Sequence, residues 1–425
     1  MPPWLQTALR SWLRLATIDL TPLRRHRDFR LVTGWRAISF FGGMITYTAV
    51  PYQVYQLTHS VVATGAIGLV EAAGVLGFAL LGGALADARD RRSLVLVTEL
   101  GLMATCALLI GNSLLPHPQV WLMFAVIGVT AALDALQRPA LDAIYPRIVD
   151  REELLAAGAV ETLTMNISMM AGPAAAGLLI AAVGLPFTYA VNLVTFLLGL
   201  VCLYALRAVP PPPDAERPSV RRVLEGFRYA RSRQELLGTY FVDMIAMFFG
   251  MPEALFPAIA VGLGGPKVLG LMYAAPAMGS FLFSATSGWT GRIHRHGMGV
   301  VVAAVIWGLA IIGFGAVPGL APALFFLAIG GAADMMSGIY RNAIWSQTIP
   351  DSLRGRLASI EMLSYSVGPS LGNFESGVVA GLFNIRVSIL SGGVLCVVGC
   401  VAAAALLPAF RAYDARTWKP ASVSP

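Results

Sequence analysis

Twelve apolar runs, each long enough to cross a bilayer as a helix, follow one another along this chain. A hydrocarbon core of roughly 30 Å takes about 20 apolar residues of helix. The runs fall at 33–56, 63–86, 94–115, 119–143, 155–183, 185–206, 237–262, 268–290, 298–317, 321–345, 357–383 and 387–408. In hydrocarbon every backbone N–H and C=O must be paired within the segment, so such runs are helical. Several connections are short and rich in turn residues, as in Leu115-Pro116-His117-Pro118 and Val317-Pro318-Gly319. Only 12% of the residues are charged against 57% apolar, and the mean hydropathy is +0.71. A soluble chain carries about 25% charged residues, so this one cannot clothe a water-facing surface. A soluble enzyme and a nucleic-acid binder are both excluded. The chain reads as an all-α membrane protein with twelve transmembrane helices.

The positive charges orient those helices. Of 30 basic residues, all but Lys267 and Lys419 are Arg. Arg10, Arg14, Arg24, Arg25, Arg27 and Arg30 precede the first span, and their short apolar runs are unlike a signal sequence. Arg89, Arg91 and Arg92 follow the second span; Arg147 and Arg151 follow the fourth. The middle segment holds Arg207, Arg217, Arg221, Arg222, Arg228, Arg231 and Arg233. Arg292, Arg295, Arg354, Arg356, Arg411 and Arg416 complete the series, while the alternate connections carry only Lys267 and Arg386. Cytoplasmic loops keep the excess of Arg and Lys, which predicts that both termini and the middle segment are cytoplasmic.

The predicted organisation is a cytoplasmic arm at 1–32, a six-helix bundle at 33–206, a cytoplasmic linker at 207–236, a second six-helix bundle at 237–408 and a tail at 409–425. Pro210-Pro211-Pro212-Pro213 favours an extended spacer. Val220 to Arg233 alternates Arg with apolar residues, as a helix lying on the membrane surface does. The bundles echo one another: Ala132-Leu133-Asp134 and Asp142-Ala143-Ile144-Tyr145 return 200 positions later as Ala333-Asp334 and Asn342-Ala343-Ile344-Trp345. Glu161-Thr162-Leu163-Thr164 matches Glu361-Met362-Leu363-Ser364, and Gly172-Pro173 answers to Gly368-Pro369. A duplicated bundle of this kind is a transporter whose halves rock about a central site. Cys106, Cys202, Cys396 and Cys400 sit in apolar stretches and read as small hydrophobes, with neither a disulfide framework nor a metal site.

Gly83-Ala84-Leu85-Ala86-Asp87-Ala88-Arg89-Asp90-Arg91-Arg92 resembles the signature loop of the major facilitator superfamily, Gly-x-Leu-Ala-Asp-Arg-x-Gly-Arg-Arg/Lys, departing from it at Ala88 and Asp90. The likeness spans nearly all of 22–410 and is nearest to bacterial exporters of the enterobactin-exporter type. It is carried by Trp35-Arg36-Ala37-Ile38-Ser39, Val50-Pro51-Tyr52-Gln53, Thr58-His59-Ser60, Glu225-Gly226-Phe227-Arg228-Tyr229 and the stretch Asp351 to Arg356. The resemblance implies the pseudo-symmetric six-plus-six major facilitator fold and a bacterial cytoplasmic membrane. It also implies a gate role for Asp87; Asp134 and Arg138, one turn apart at the inner end of the fourth span, are expected to join the loop residues Gly83, Asp87, Arg91 and Arg92 in a cytoplasmic ion-pair cluster. Gly172, Pro173 and Gly177 are similar to the Gly-Pro motif of proton-coupled antiporters, with Ser168 and Ala176 standing where glycines are usual.

No phosphate-binding loop, metal-binding His-Glu-x-x-His or nucleophile turn is present. No enzyme activity and no cofactor is therefore expected, and uphill movement must draw on an ion gradient. A membrane carboxylate that can be neutralised is the simplest proton carrier. The intramembrane acids singled out are Glu71, Asp134, Glu161, Asp243, Glu253, Glu361 and Glu375. Glu71 lies ~12 Å from the outer end of its span, by the rise per residue, and Glu253 at a similar depth just after Pro252. These two lead the candidates for the proton or substrate site, followed by Asp243, Glu361, Glu161 and Arg36. Tyr47, Tyr52, Tyr240, Phe248, Tyr273, Tyr340 and Tyr365 are candidate cavity aromatics for a planar cargo.

The expected function is proton-coupled export by alternating access. The cargo that the resemblance implies is a siderophore; a hydrophobic drug or macrolide is the alternative, and an importer or an intramembrane enzyme fits less well. Protons, a small molecule and lipid are the expected partners, with the chain acting as a monomer.

Overall fold

A computed structural model describes residues 19–209 and 227–417, and every long element among them is helical. Four helices lead: α1 (Arg27–Thr58), α2 (Val61–Ala88), α3 (Arg91–Ser113) and α4 (Val120–Asp142). The stretch Leu154–Tyr204 divides at Gly184 into α5 (154–183) and α6 (185–204). Gly184 has φ 81° and ψ 175°, a conformation open to glycine, and Pro186 restarts the helix beyond it. α7 starts as Gln234–Phe249, breaks, and resumes as Phe256–Leu263. α8 (Pro266–Thr286), α9 (His296–Ala316), α10 (Leu320–Thr348), α11 (Asp351–Leu382) and α12 (Ile385–Leu406) complete the set.

Nine helical stretches among the described residues are long and apolar enough by themselves to span a bilayer, and one of them contains both α5 and α6. Helices α1 and α11 complete twelve. Each has 32 residues, hence about 48 Å at the usual rise. Both are more polar than the others because part of their surface faces other protein and an internal cavity rather than lipid. Elsewhere the outward faces are apolar: Val97, Val201, Phe325 and Leu406 are 62–79% exposed, which suits hydrocarbon and not water.

The packing repeats. In the first half α2 lies on α4, α3 on α4, and α1 and α3 on the α5–α6 pair; in the second, α8 lies on α10, α9 on α10 and α12, and α7 on α11 and α12. The halves meet through α2 against α11 and α5 against α8. Both seams rely on glycine. A Cβ on Gly65 would come within 3.0 Å of the Gly377 Cα, and one on Gly177 within 3.1 Å of the Gly270 Cα. Such backbone approach between helices needs small residues. These glycines all lie in the parts of their helices nearest the turns at 59–60, 184, 264–265 and 383–384. The molecule is therefore closed at the end that carries the Arg-poor turns. Toward the Arg-rich end, the Arg138 guanidinium of α4 sits 4.7 Å from the centroid of the Tyr365 ring of α11.

The ends are tied down locally. His26 pairs with Glu153 at 2.9 Å, and Arg25 with the same carboxylate at 3.0 Å. Phe410 and Tyr413 of the tail pack into the second half, where the Tyr413 hydroxyl donates to Gln347 at 2.6 Å. Residues 227–232 of the linker are helical, and the Tyr229 hydroxyl donates to the Thr348 carbonyl at 2.9 Å. Val220 to Gly226, the start of the expected surface helix, lies outside the described residues.

Candidate functional site

A cavity of about 460 Å³ lies above the closed end, a volume suited to a drug-sized molecule. Its wall comes mainly from α1, α2, α3 and α4, with Ser366 and Ser370 of α11 opposite. Trp35, Arg36, Tyr47, Glu71, Glu99, Asp134, Gln137 and Arg138 are its chemically distinctive lining residues.

The break in α7 lies beside the cavity-lining residue Tyr47. The sequence predicts one continuous helix over 237–262; the structure instead ends it at Gly250, turns through Glu253–Leu255 and restarts at Phe256. Pro252 and Pro257 remove two backbone donors there, so an uninterrupted hydrogen-bond ladder is impossible. The freed groups find side-chain partners. The Ala254 N–H donates to Asn373 Oδ1 of α11 at 2.9 Å, and the Tyr273 hydroxyl of α8 donates to the Glu253 carbonyl at 3.2 Å. Irregular backbone at membrane depth is tolerated where protein satisfies it in this way.

The break aims the Glu253 carboxylate at the other half. The Tyr47 hydroxyl of α1 donates to it at 2.5 Å, and the Tyr47 and Tyr273 rings meet edge to face at 5.6 Å. Glu71 of α2 accepts from the Ser370 hydroxyl of α11 at 3.4 Å, and the two carboxyl groups lie within electrostatic reach of each other. Tyr47, Glu71, Glu253, Tyr273 and Ser370 thus come from five helices and both halves to form one polar junction across the seam. Among the described residues no cation is paired with either Glu71 or Glu253.

Other acids have different partners. Asp243 of α7 is buried in an ion pair with Arg341 of α10, and also accepts from the Ser364 hydroxyl at 2.9 Å. Asp334 stands 3.8 Å from the same guanidinium. Glu161 pairs with Arg36, whose guanidinium lies 5.7 Å from the Tyr145 ring centroid. Asp134 is exposed to the cavity one turn from Arg138. Glu375 is half-buried in α11. The side chains of Asp87 and Glu361 lie outside the described residues.

Arg91 donates to the Ala143 carbonyl at 3.3 Å, and Arg92 to the Leu203 and Tyr204 carbonyls at 3.1 and 2.7 Å. Both neutralise carbonyls near helix C-termini. Gly83 has open space where a Cβ would stand. In the Gly-Pro segment, Gly172 packs on Met44 of α1, while Pro173 and Gly177 form the seam with Gly270. Of the aromatics, Tyr47 lines the cavity, Tyr273 backs it and Tyr365 covers Arg138. Tyr52 is buried in the core, Tyr240 stacks on Trp345, Phe248 meets Phe249 and Tyr340 stacks on His296. None of these four lines the cavity.

Glu99 is absent from the sequence-derived candidates. It is 1% exposed in α3, and it accepts from Trp35 Nε1 at 2.9 Å, from the Ser39 hydroxyl, and from Gln137 Nε2 at 3.1 Å. The signal that could have found it is the one used for the others, a lone acid in an apolar run.

Residues 17–424 match the family described as Transmembrane secretion effector. The chain is 28% identical over 405 residues to the Enterobactin exporter EntS of Citrobacter koseri, covering 92% of this chain and 93% of that protein. It is 29% identical to the Enterobactin exporter EntS of Escherichia coli O1:K1 / APEC over 383 residues, covering 85% of this chain and 86% of that one. Among solved structures, it superimposes on a mutant of the nucleoside transporter NupG with a TM-score of 0.73 at 13% identity, covering 89% of this chain and 99% of that one. A POT family transporter in complex with 5-aminolevulinic acid gives 0.71 at 11% identity, covering 91% and 97%. The arrangement of twelve helices in two packed sixes is the major facilitator fold, in a multi-pass membrane protein that is a transporter and not an enzyme. The chain belongs to the transmembrane secretion effector family of major facilitator secondary transporters.

Proposed function

We propose that the chain exports a small molecule from the cytoplasm by proton antiport, with Glu71 and Glu253 as the carboxyl groups that couple the two flows. The observation that carries this reading is the junction of Tyr47, Glu71, Glu253 and Ser370, which ties the halves together at one end of the cavity. By the distribution of Arg, the closed end faces outward and the cavity is reached from the cytoplasm. A carboxylate in such a seam accepts hydrogen bonds when charged; a proton cancels the charge and weakens them, so protonation from outside loosens the outer closure. Cargo loaded from the cytoplasm then leaves as the proton enters.

The names of the relatives support a catecholate siderophore as cargo. A second reading, a neutral or cationic hydrophobic drug, is favoured by the cavity wall itself. That wall carries the carboxyl groups of Glu71, Glu99 and Asp134 against two guanidinium groups, one of which is already paired with Glu161.

The test is uptake into proteoliposomes of a catecholate siderophore and of a cationic hydrophobic drug, with and without an imposed pH gradient. Gradient-dependent movement of one of them is the expected result. Movement of either that ignores the gradient, or movement of neither, overturns the antiport reading.

A further inference from the structure

The buried acids of this molecule fall into two kinds. Asp243 and Glu161 face guanidinium groups, Arg341 and Arg36, so their charge is balanced by a fixed cation. Glu99 is more deeply buried than either, and among the described residues no cation is paired with it. Its oxygens are held by three neutral donors: the Trp35 indole and Ser39 hydroxyl of α1 on Oε1, and the Gln137 amide of α4 on Oε2. Two of those partners are reversible. A hydroxyl rotates from donor to acceptor, and a primary amide presents its oxygen after a half-turn. Glu99 can therefore take up a proton on Oε2 and donate it to the Gln137 carbonyl oxygen, while Trp35 continues to donate to Oε1. Both Glu99 oxygens keep a hydrogen bond in either state, and the exchange is made by rotation of a side-chain amide.

The route to this carboxyl group is equally local. Trp35, Ser39, Glu99 and Gln137 all line the cavity. The charged groups that share that wall are Arg36 from α1, Asp134 and Arg138 from α4, and Glu71 from α2; α6, which also packs on α3, contributes Asn192 and Phe196. Asp134 lies within electrostatic reach of Glu99 and is exposed to the cavity, one turn from Gln137.

We infer that Glu99 is a proton-binding site of the first half, separate from the Glu71–Glu253 junction, filled and emptied through the cavity, with Gln137 as the group that reverses with it and Ser39 as a donor to its charged form. As a binding site it stands without the antiport reading; only its part in coupling rests on that proposal.

The direct test is infrared difference spectroscopy of the purified full-length chain, titrated from mildly acid to mildly alkaline pH. A neutral-carboxyl C=O band that appears on acidification is expected, lost in Glu99→Gln and kept in Glu253→Gln. Ser39→Ala removes a donor from the charged form and is expected to raise the band's midpoint by about one pH unit or more. That shift decides the question if Glu99→Gln does not fold. Spectra of Glu99→Gln that superimpose on the parent's, or a midpoint unmoved by Ser39→Ala, overturn the proposal and leave Glu99 as a fixed hydrogen-bonded post. A Glu99 band that persists in a chain whose transport ignores the pH gradient supports this site while removing the coupling role of Glu71 and Glu253.

Discussion

At the scale of single residues, what a buried carboxylate does depends on its partner. Glu253 accepts one short hydrogen bond from a residue of the opposite half, and a hydrogen bond to a charged group is worth about 1.5–3 kcal/mol. Tyr47→Phe is therefore expected to shift the balance of the outer closure toward opening by roughly ten-fold or more. Spin-label distances between the α1–α2 turn and the α7–α8 turn would report it as a widened population; an unchanged distribution shows that the bond does not hold the closure. Asp243 and Arg341 behave differently. Their side chains are 5% and 10% exposed, so Arg341→Gln strands a buried anion, at a cost of about 3–5 kcal/mol. A fall in thermal stability in detergent is expected for Arg341→Gln, with much of it restored by the double change Asp243→Asn, Arg341→Gln. If the single change is harmless, the pair does not support the second half.

At the scale of helices, glycine governs which elements can approach. Gly270 brings α8 onto α5, where an added Cβ would stand 2.5 Å from the Pro173 carbonyl oxygen. Gly270→Ala cannot be absorbed by a side chain, because the obstacle is backbone. Its expected effect is to force the α5–α8 seam apart, read as faster thiol labelling of a cysteine placed at Met44, whereas Gly83→Ala enters open space and is expected to leave labelling unchanged. Equal labelling in both variants means that the seam yields without cost. The helices themselves were legible from apolar length, including the α5–α6 division at Gly184. Two features were not. α1 begins at Arg27 and not at residue 33, because its first turns lie beyond the hydrocarbon, where apolar length is no guide. α7 breaks at Gly250, where the Ala254 N–H, left without a helical acceptor, is satisfied by Asn373, more than a hundred residues away.

At the scale of the whole molecule, the halves are closed on one another where α2 meets α11 and α5 meets α8, and a cavity walled mainly by the first half faces Ser366 and Ser370 of the second. The distribution of Arg makes a prediction about sidedness. A cysteine placed at His117 is expected to react with a membrane-impermeant thiol reagent only from outside the cell, and one placed at Arg292 only after the membrane is opened. The reverse pattern would invert the topology and with it the direction assigned to transport.

Hydrophobic length, Arg placement and the repeat of Asp134 at Asp334 are properties of the chain itself, because lipid acts on each helix separately. They sufficed for twelve spans in two sixes. Which acid meets which partner is set by how those helices pack. Glu71 and Glu253 share a junction because α2 and the α7 break converge on α11; Glu99 has neutral partners because packing sets Trp35 and Ser39 of α1 and Gln137 of α4 against it, while Arg36 of α1 turns to Glu161. Contacts of that kind join residues scattered over hundreds of positions, and only the folded arrangement brings them within reach.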